Sequence, residues 1–290
     1  MDSLSLLRML LQVELPSQEQ IQLFRVLDAE PLTVDFLIAA TACVQDTAKA
    51  KALETMEAVD APGIAAALIL AGAGVPVLQQ VGVQGAEPEI LKALGLTLPK
   101  TEKAVYRHFQ EEGIVFIVAE RFYPHYVFLA EARAQQALAG KSSLFDVLEP
   151  LAHPFRPRYQ VIEVETPKRL SPVGEALLLL GRQGFVCSKG QVVHAARAKV
   201  NDYALSPAAL GLKGEPHAQA ALTPAQAAGT VLHILSGEAS AVEQGPVLLQ
   251  ALMGALAYQP FLSAEEALAK VMQSIENGAA LRKLQRLQSA

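Results

Sequence analysis

Apolar positions in the first fifty residues repeat with helical spacing. Leu4, Leu7 and Leu11 make a stripe that Pro16 ends. SQEQ at 17–20 has the S-x-x-Q form of a capping box and predicts a second helix carrying Ile21, Phe24 and Leu27. Pro31 and Thr33 precede a third, with Phe36, Leu37, Ala40 and Val44 along one side. Stripes this wide must pack on something, and mutual packing gives a small bundle. From about residue 52 helices alternate with short β-rich runs. A helix at 64–73, apolar all round and therefore buried, is followed by a strand at 75–78. Helices at 87–94, capped by Gly95, and from Thr101 to Gly113 lead to IVFIVA at 114–119, a buried-strand run. Strands at 159–164 and 185–187 flank a helix through 175–180. The C-terminal third is helical, at 223–235, 246–258, after a SAEE capping box at 263–266, and at 279–287 beyond Asn277-Gly278.

This alternation predicts an α/β fold in which a small N-terminal helical bundle domain accompanies a larger domain with a mostly parallel central sheet flanked by helices. The expected boundaries are 1–51 for the helical domain, joined in space by helices from about 124–152, and 52–290 for the α/β domain with its helical C-terminal part. Composition allows a large core: of 290 residues, 51% are hydrophobic and 18% charged. Mean hydropathy of +0.27 raises the question of a membrane span. The longest uncharged apolar run, 63–78, contains Gly72, Gly74 and Pro76 and falls short of the roughly 20 residues a spanning helix needs. No basic region leads into an apolar stretch and cleavage site at the N-terminus, so a signal peptide is not expected and the cytoplasm is the expected location. Cys43 and Cys187 are isolated, which indicates neither a zinc site nor a disulfide framework. The six histidines show no metal-ligand spacing; His153 lies in a turn-like LAHPF segment, and His233 on an apolar helix suggests a hydrogen-bonded core residue.

Net charge is −5, which disfavours nonspecific nucleic-acid binding by the whole surface. Arg182, Lys189, Arg197, Lys199 and Lys213 nevertheless cluster between 182 and 213 against Asp202 alone. A solvated basic face and an anion-binding surface through Lys189, Arg197 and Lys199 both fit that cluster.

The stretch SLFDVLEPLAHPFRPRY at 143–159, followed by QVIEV, resembles the T-I-F-N-x-L-G-P-L-x-N-P segment of anthranilate phosphoribosyltransferases, members of glycosyltransferase family 3. AAALILAGAGVPV at 65–77, GIVFIVAERFYP at 113–124, GPVLLQALMGALAY at 245–258 and NGAALRKL at 277–284 resemble further blocks of that family, in the same order. The resemblance implies a homodimer through the N-terminal helices and a cleft between helical and α/β domains. There phosphoribosyl pyrophosphate and Mg2+ would bind and the anthranilate amine would displace pyrophosphate.

The chain departs from the family where that chemistry resides. A G-T-G-G-D turn lets backbone N–H groups approach pyrophosphate. Around that place the chain reads LETMEAVDAPG at 53–63, and Met56, Glu57, Ala58 and Val59 are expected to stand in the turn. The K-H-G-N-R-S loop is replaced by QQVGVQG at 79–85, with Gly82 as its remnant. SKGQVVH at 188–194 replaces the acidic pair that supplies oxygen ligands to Mg2+, so no metal or other cofactor is expected. Tyr123 replaces the histidine of the family's H-P pair, and Gln136 falls near its anthranilate-binding arginine. The resemblance therefore implies a family member without phosphoribosyl transfer and without assignable catalytic residues. Its degenerate cleft, lined by Gly82, Arg121, Tyr123, His125 and Gln136, would bind a small molecule, or the surface would bind a protein partner. Two other readings stay open: nucleic-acid binding through 182–213, and a transferase of altered substrate in which Lys189, Arg197 or Lys199 replaces the metal as the partner of pyrophosphate.

Overall fold

A computed structural model describes residues 2–13, 15–29, 31–48, 56–60, 63–82, 86–123, 129, 144–214 and 222–289. Three helices come first: α1 (Ser3–Gln12), α2 (Ser17–Ala29) and α3 (Val34–Gln45). Asp2 and Thr33 cap α1 and α3 by accepting the backbone N–H groups of Ser5 and Phe36, each a contribution of about 1 kcal/mol. In α2, Ser17 is already helical and Gln20 Nε2 donates to the Leu15 carbonyl, so the expected box partner is used elsewhere.

The sheet follows. Its elements are β1 (Met56–Asp60), α4 (Ile64–Gly72), β2 (Val77–Val81), α5 (Glu87–Ala93), α6 (Glu102–Glu112) and β3 (Ile114–Val118). After them come α7 (Phe145–Leu151), β4 (Pro157–Glu163), α8 (Leu170–Leu179), β5 (Gln183–Ser188), β6 (Gln191–Ala196) and β7 (Lys199–Asp202). Strand order is β3-β2-β1-β4-β5-β6-β7. The first five strands of that order run parallel, and β6 and β7 extend the sheet as antiparallel neighbours. The chain ends with α9 (Pro224–Leu235), α10 (Ala241–Tyr258), α11 (Ala264–Glu276) and α12 (Ala279–Ser289). Thr223, Ser240 and Ser263 close capping boxes on α9, α10 and α11.

The two sheet faces bury separate cores. Val59, Val77, Val81, Phe116, Val161 and Phe185 point to one side, where α4 lies enclosed by α9–α12. All residues from Ile64 to Ala71 are buried, as an all-round apolar helix requires. At Gly72 an added Cβ would stand 2.3 Å from Ser274 Oγ and 2.6 Å from Ala280 N, so only a bare backbone lets α4 approach α11 and α12. On the other side the N-terminal helices share one core with α7, α8, Ile162 and Val186. Beside it, Phe122 and Phe155 pack edge to face at 4.9 Å over β1–β3.

Several expectations need correcting. Met56, Glu57, Ala58 and Val59 do not stand in a turn; they form β1, at the centre of the sheet. The predicted strand at 75–78 is displaced to Val77–Val81, so Gln79 and Gln80 belong to a strand rather than to the replaced loop. The helix expected from 246 starts at Ala241 and carries Pro246 inside. The region read as a basic surface holds the β6–β7 hairpin. Its turn residues Arg197 and Ala198 adopt φ of +51° and +59°, values usually signalled by Asn or Gly. No helix among the described residues is long and apolar enough to cross a membrane.

Candidate functional site

In an open parallel sheet, ligands sit beyond the carboxyl ends of the strands, where helix N-termini and loops diverge. Here that end holds a cavity of about 230 Å³ lined by Asp60 of β1, Gln79, Gln80 and Gly82 at the end of β2, and Val161 to Glu163 of β4. Glu87 at the start of α5 and Glu149 and Pro150 of α7 complete its wall. Four acidic residues thus line one space, and no Lys or Arg is among its described lining residues.

Beneath this space lies a buried polar network. Asp60 Oδ1 accepts the Gln80 backbone N–H at 3.2 Å, and Asp60 Oδ2 accepts from Gln160 Nε2 at 3.3 Å. Gln160 Nε2 also donates to the Pro150 carbonyl at 2.8 Å, and its Oε1 accepts from Arg182 at 2.8 Å. Arg182 reaches the Pro150 carbonyl at 3.3 Å, and Gln80 Nε2 donates to the Glu149 carbonyl at 3.2 Å. The last carbonyls of α7, orphaned by the helix end, are therefore capped by side chains from β2, from β4 and from the residue before β5. A guanidinium also complements the negative end of the helix. Sequence reasoning placed Arg182 on a basic surface, yet it is only 2% exposed. Its helical neighbours in sequence give no sign of the carbonyls that a distant α7 brings to it.

Electrostatics follow burial. Burial pushes the Asp60 carboxyl up to about 7, against the lowering pull of its hydrogen bonds and Arg182. Glu87 also rises to about 7, through burial first and then the nearby charges of Asp60 and Glu149, although the Gly82 backbone N–H opposes this. Burial lowers Arg182 to about 10. His153, fully buried, is held well below its ordinary value by burial and then by Arg182. Its Nδ1 accepts the Phe155 backbone N–H at 3.1 Å, within the turn before β4.

The expected cleft residues fare differently. Gly82 lines the cavity. Tyr123 does not: it is fully buried and its hydroxyl donates to the Ala152 carbonyl. Arg121 turns away to the carbonyls of Leu98 (2.9 Å) and Pro99 (3.2 Å). His125 and Gln136 lie outside the described residues. The three expected anion-binding cations are not brought together. Lys189 sits in the β5–β6 turn and Arg197 and Lys199 at the β6–β7 turn, at opposite ends of β6. Six residues of strand separate them, roughly 20 Å. Arg197 and Lys199 do share a cavity of about 380 Å³ with Phe185, His194 and Tyr203. His233 is exposed, 3.7 Å from Glu238, rather than a core residue.

The chain matches the family model described as glycosyl transferase family, a/b domain, over residues 63–281. It is 31% identical over 244 residues to the anthranilate phosphoribosyltransferase of Thermomicrobium roseum, covering 77% of this chain and 69% of that protein. The enzyme of that name from Roseiflexus castenholzii is 30% identical, with 77% and 70% covered. Among solved structures, anthranilate phosphoribosyltransferase from Thermus thermophilus superposes with a TM-score of 0.83 at 25% identity, covering 99% of this chain and 94% of that one. The Saccharomyces cerevisiae enzyme in complex with PRPP and Mg has the same fold, with a TM-score of 0.77 at 17% identity and coverage of 99% and 90%. By this match in sequence and in fold, the chain belongs to the glycosyl transferase family that includes the anthranilate phosphoribosyltransferases.

Proposed function

We propose that this anthranilate phosphoribosyltransferase-like protein does not transfer phosphoribose and uses its cleft to bind a different small molecule. One observation carries the reading: the ligand end of the sheet presents Asp60, Glu87, Glu149 and Glu163, with no cation among its described lining residues. A diphosphate ester needs N–H donors and positive charge. Like charges about 4 Å apart at an effective dielectric near 20 repel by about 4 kcal/mol. The carboxylates also fit Mg2+ poorly. Both Asp60 oxygens already accept hydrogen bonds from the protein, and no three His, Cys, Asp or Glu side chains among the described residues are grouped to hold one ion.

Calorimetric titration with phosphoribosyl pyrophosphate and Mg2+, paired with an assay of transfer to anthranilate, tests this reading. The expected result is neither binding nor turnover; measurable transfer overturns it. The altered-substrate transferase requires Lys189, Arg197 or Lys199 at the pyrophosphate, and none of the three lines this cavity. The nucleic-acid reading loses support from the burial of Arg182 and the separation of Lys189 from Arg197. As to partners, the proposed homodimer through the N-terminal helices draws support from Val13 and Val26, each 47% exposed there. Sedimentation equilibrium tests it.

A further inference from the structure

We infer that the cavity between the β5–β7 end of the sheet and the turn after α10 binds a small aromatic carboxylate, at a site separate from the cleft. It lies near the amino end of β5, whereas the cleft lies at the carboxyl ends of β1, β2 and β4. Strand register explains its lining. Phe185 pairs with His194, His194 with Asn201 and Ala196 with Lys199, so the pleat sends these side chains to one face. Asp202, the acid of the hairpin, pairs with Val193 and falls on the other face. Pro260 and Leu262 close the cavity from the helical side, and its volume of about 380 Å³ suits a small molecule.

One wall of this space is aromatic. Buried Phe185 stacks on His194 with ring centroids 4.5 Å apart, and Tyr203 meets the two rings edge-on at 5.0 and 5.7 Å. His194 and Tyr203 are half-buried and keep surface toward the cavity that they line. Burial and then the Arg197 charge hold His194 below its ordinary value, which leaves the imidazole neutral at pH 7. A flat apolar ring gains there from aromatic contact and from leaving water.

The rim is cationic. Arg197 and Lys199 both line the cavity, and no acid is among its described lining residues. Neither side chain has a hydrogen bond or an ion pair among the described residues. A carboxylate at the rim meets a planar guanidinium fork, an ammonium and the Asn201 amide. A neutral aromatic leaves both cations unused, and an aliphatic anion leaves the rings uncovered. The backbone supplies a second argument. Arg197 holds φ of +51°, a conformation easy for glycine and strained for other residues. A long charged side chain kept at a strained position marks a position where that side chain is used.

The test is titration of the full chain with naphthoate and with indoleacetate. Binding is read from the probe's own fluorescence, which is unobscured because the chain contains no tryptophan. The expected result is saturable one-to-one binding of at least one probe, with neutral indoleacetamide at least roughly tenfold weaker than indoleacetate. Affinity should fall roughly tenfold in Lys199→Ala and in Arg197→Gly, the loss of one charge-assisted hydrogen bond. Glycine suits the positive φ at 197, so the denaturation midpoint of Arg197→Gly should not fall, which separates lost binding from lost folding. Lys189→Ala, at the far end of β6, should bind as the unaltered protein does. No saturation by either probe at millimolar concentration overturns the inference. So does binding that neither Arg197→Gly nor Lys199→Ala weakens, binding that Lys189→Ala weakens equally, or indoleacetamide binding as tightly as the acid. The outcome is independent of the cleft, because none of the substituted residues lines it.

Discussion

Arg182 donates to the side-chain carbonyl of Gln160 at 2.8 Å, and the pair is almost wholly buried under the end of α7. Through the other end of the same amide, Gln160 holds Asp60, so one side chain joins a cation before β5 to an acid at the end of β1.

Removing the cation from this pair should be expensive. In Arg182→Met, Gln160 Oε1 loses its donor and the Pro150 carbonyl one of its two side-chain donors. The expected loss is about 2–3 kcal/mol, read from urea denaturation, because a buried hydrogen bond to a charged group is broken and an acceptor is left dry. Arg182→Lys should recover only part of it, since an ammonium lacks the planar fork.

Gly184 lets β5 approach β4 at that same place. Its φ is +147°, and an added Cβ would lie 1.8 Å from the Gln160 carbonyl oxygen. Gly184→Ala should therefore destabilise by at least about 2 kcal/mol, since the obstructing atom is backbone and cannot rotate away. An unchanged denaturation midpoint would mean the strands are not this close.

The acidic cleft should leave a signature in pH. Glu87 and Asp60 hold their protons more tightly when folded than when unfolded. Between about pH 4 and 7 the unfolded chain releases these protons while the folded one keeps them, so their contribution to stability falls as pH rises through that window. Buried His153, with a lowered value, acts in the opposite direction near its ordinary pKa. The difference between the protein and Glu87→Gln isolates the acid: the variant should gain relative stability from pH 5 to 7 and hold that gain above it.

Tyr123 should behave as a structural group. Tyr123→Phe removes the buried hydrogen bond to Ala152 and is expected to cost about 1–2 kcal/mol in denaturation. An unchanged denaturation midpoint would mean that the hydroxyl is not held by the Ala152 carbonyl.

Much of the architecture was legible because it rests on local periodicity. The all-round apolar run of α4, the IVFIV of β3, Gly95 and Gly113 at their helix ends, and the SAEE box before α11 need no distant partner to be recognised. The hairpin β6–β7 escaped because its strands are short and polar at their exposed positions, and its turn uses Arg197 and Ala198 where glycine would have announced it. Met56–Val59 was misplaced for a related reason. A central parallel strand reads as an apolar run, and Glu57, paired with Arg158 of β4, broke that run.

By itself the sequence determined the helices, most of the parallel strands and the family, because patterns of 3.6 and 2 and an ordered set of blocks survive without coordinates. Tertiary structure alone decided the fate of the charges. Arg182 lies within a basic stretch of chain but is drawn inside by Pro150 and Gln160, up to 32 residues away. Asp60, Glu87, Glu149 and Glu163, scattered over a hundred residues, meet at one cavity. Charge interactions depend on distance and on burial, and neither is a property of position along the chain.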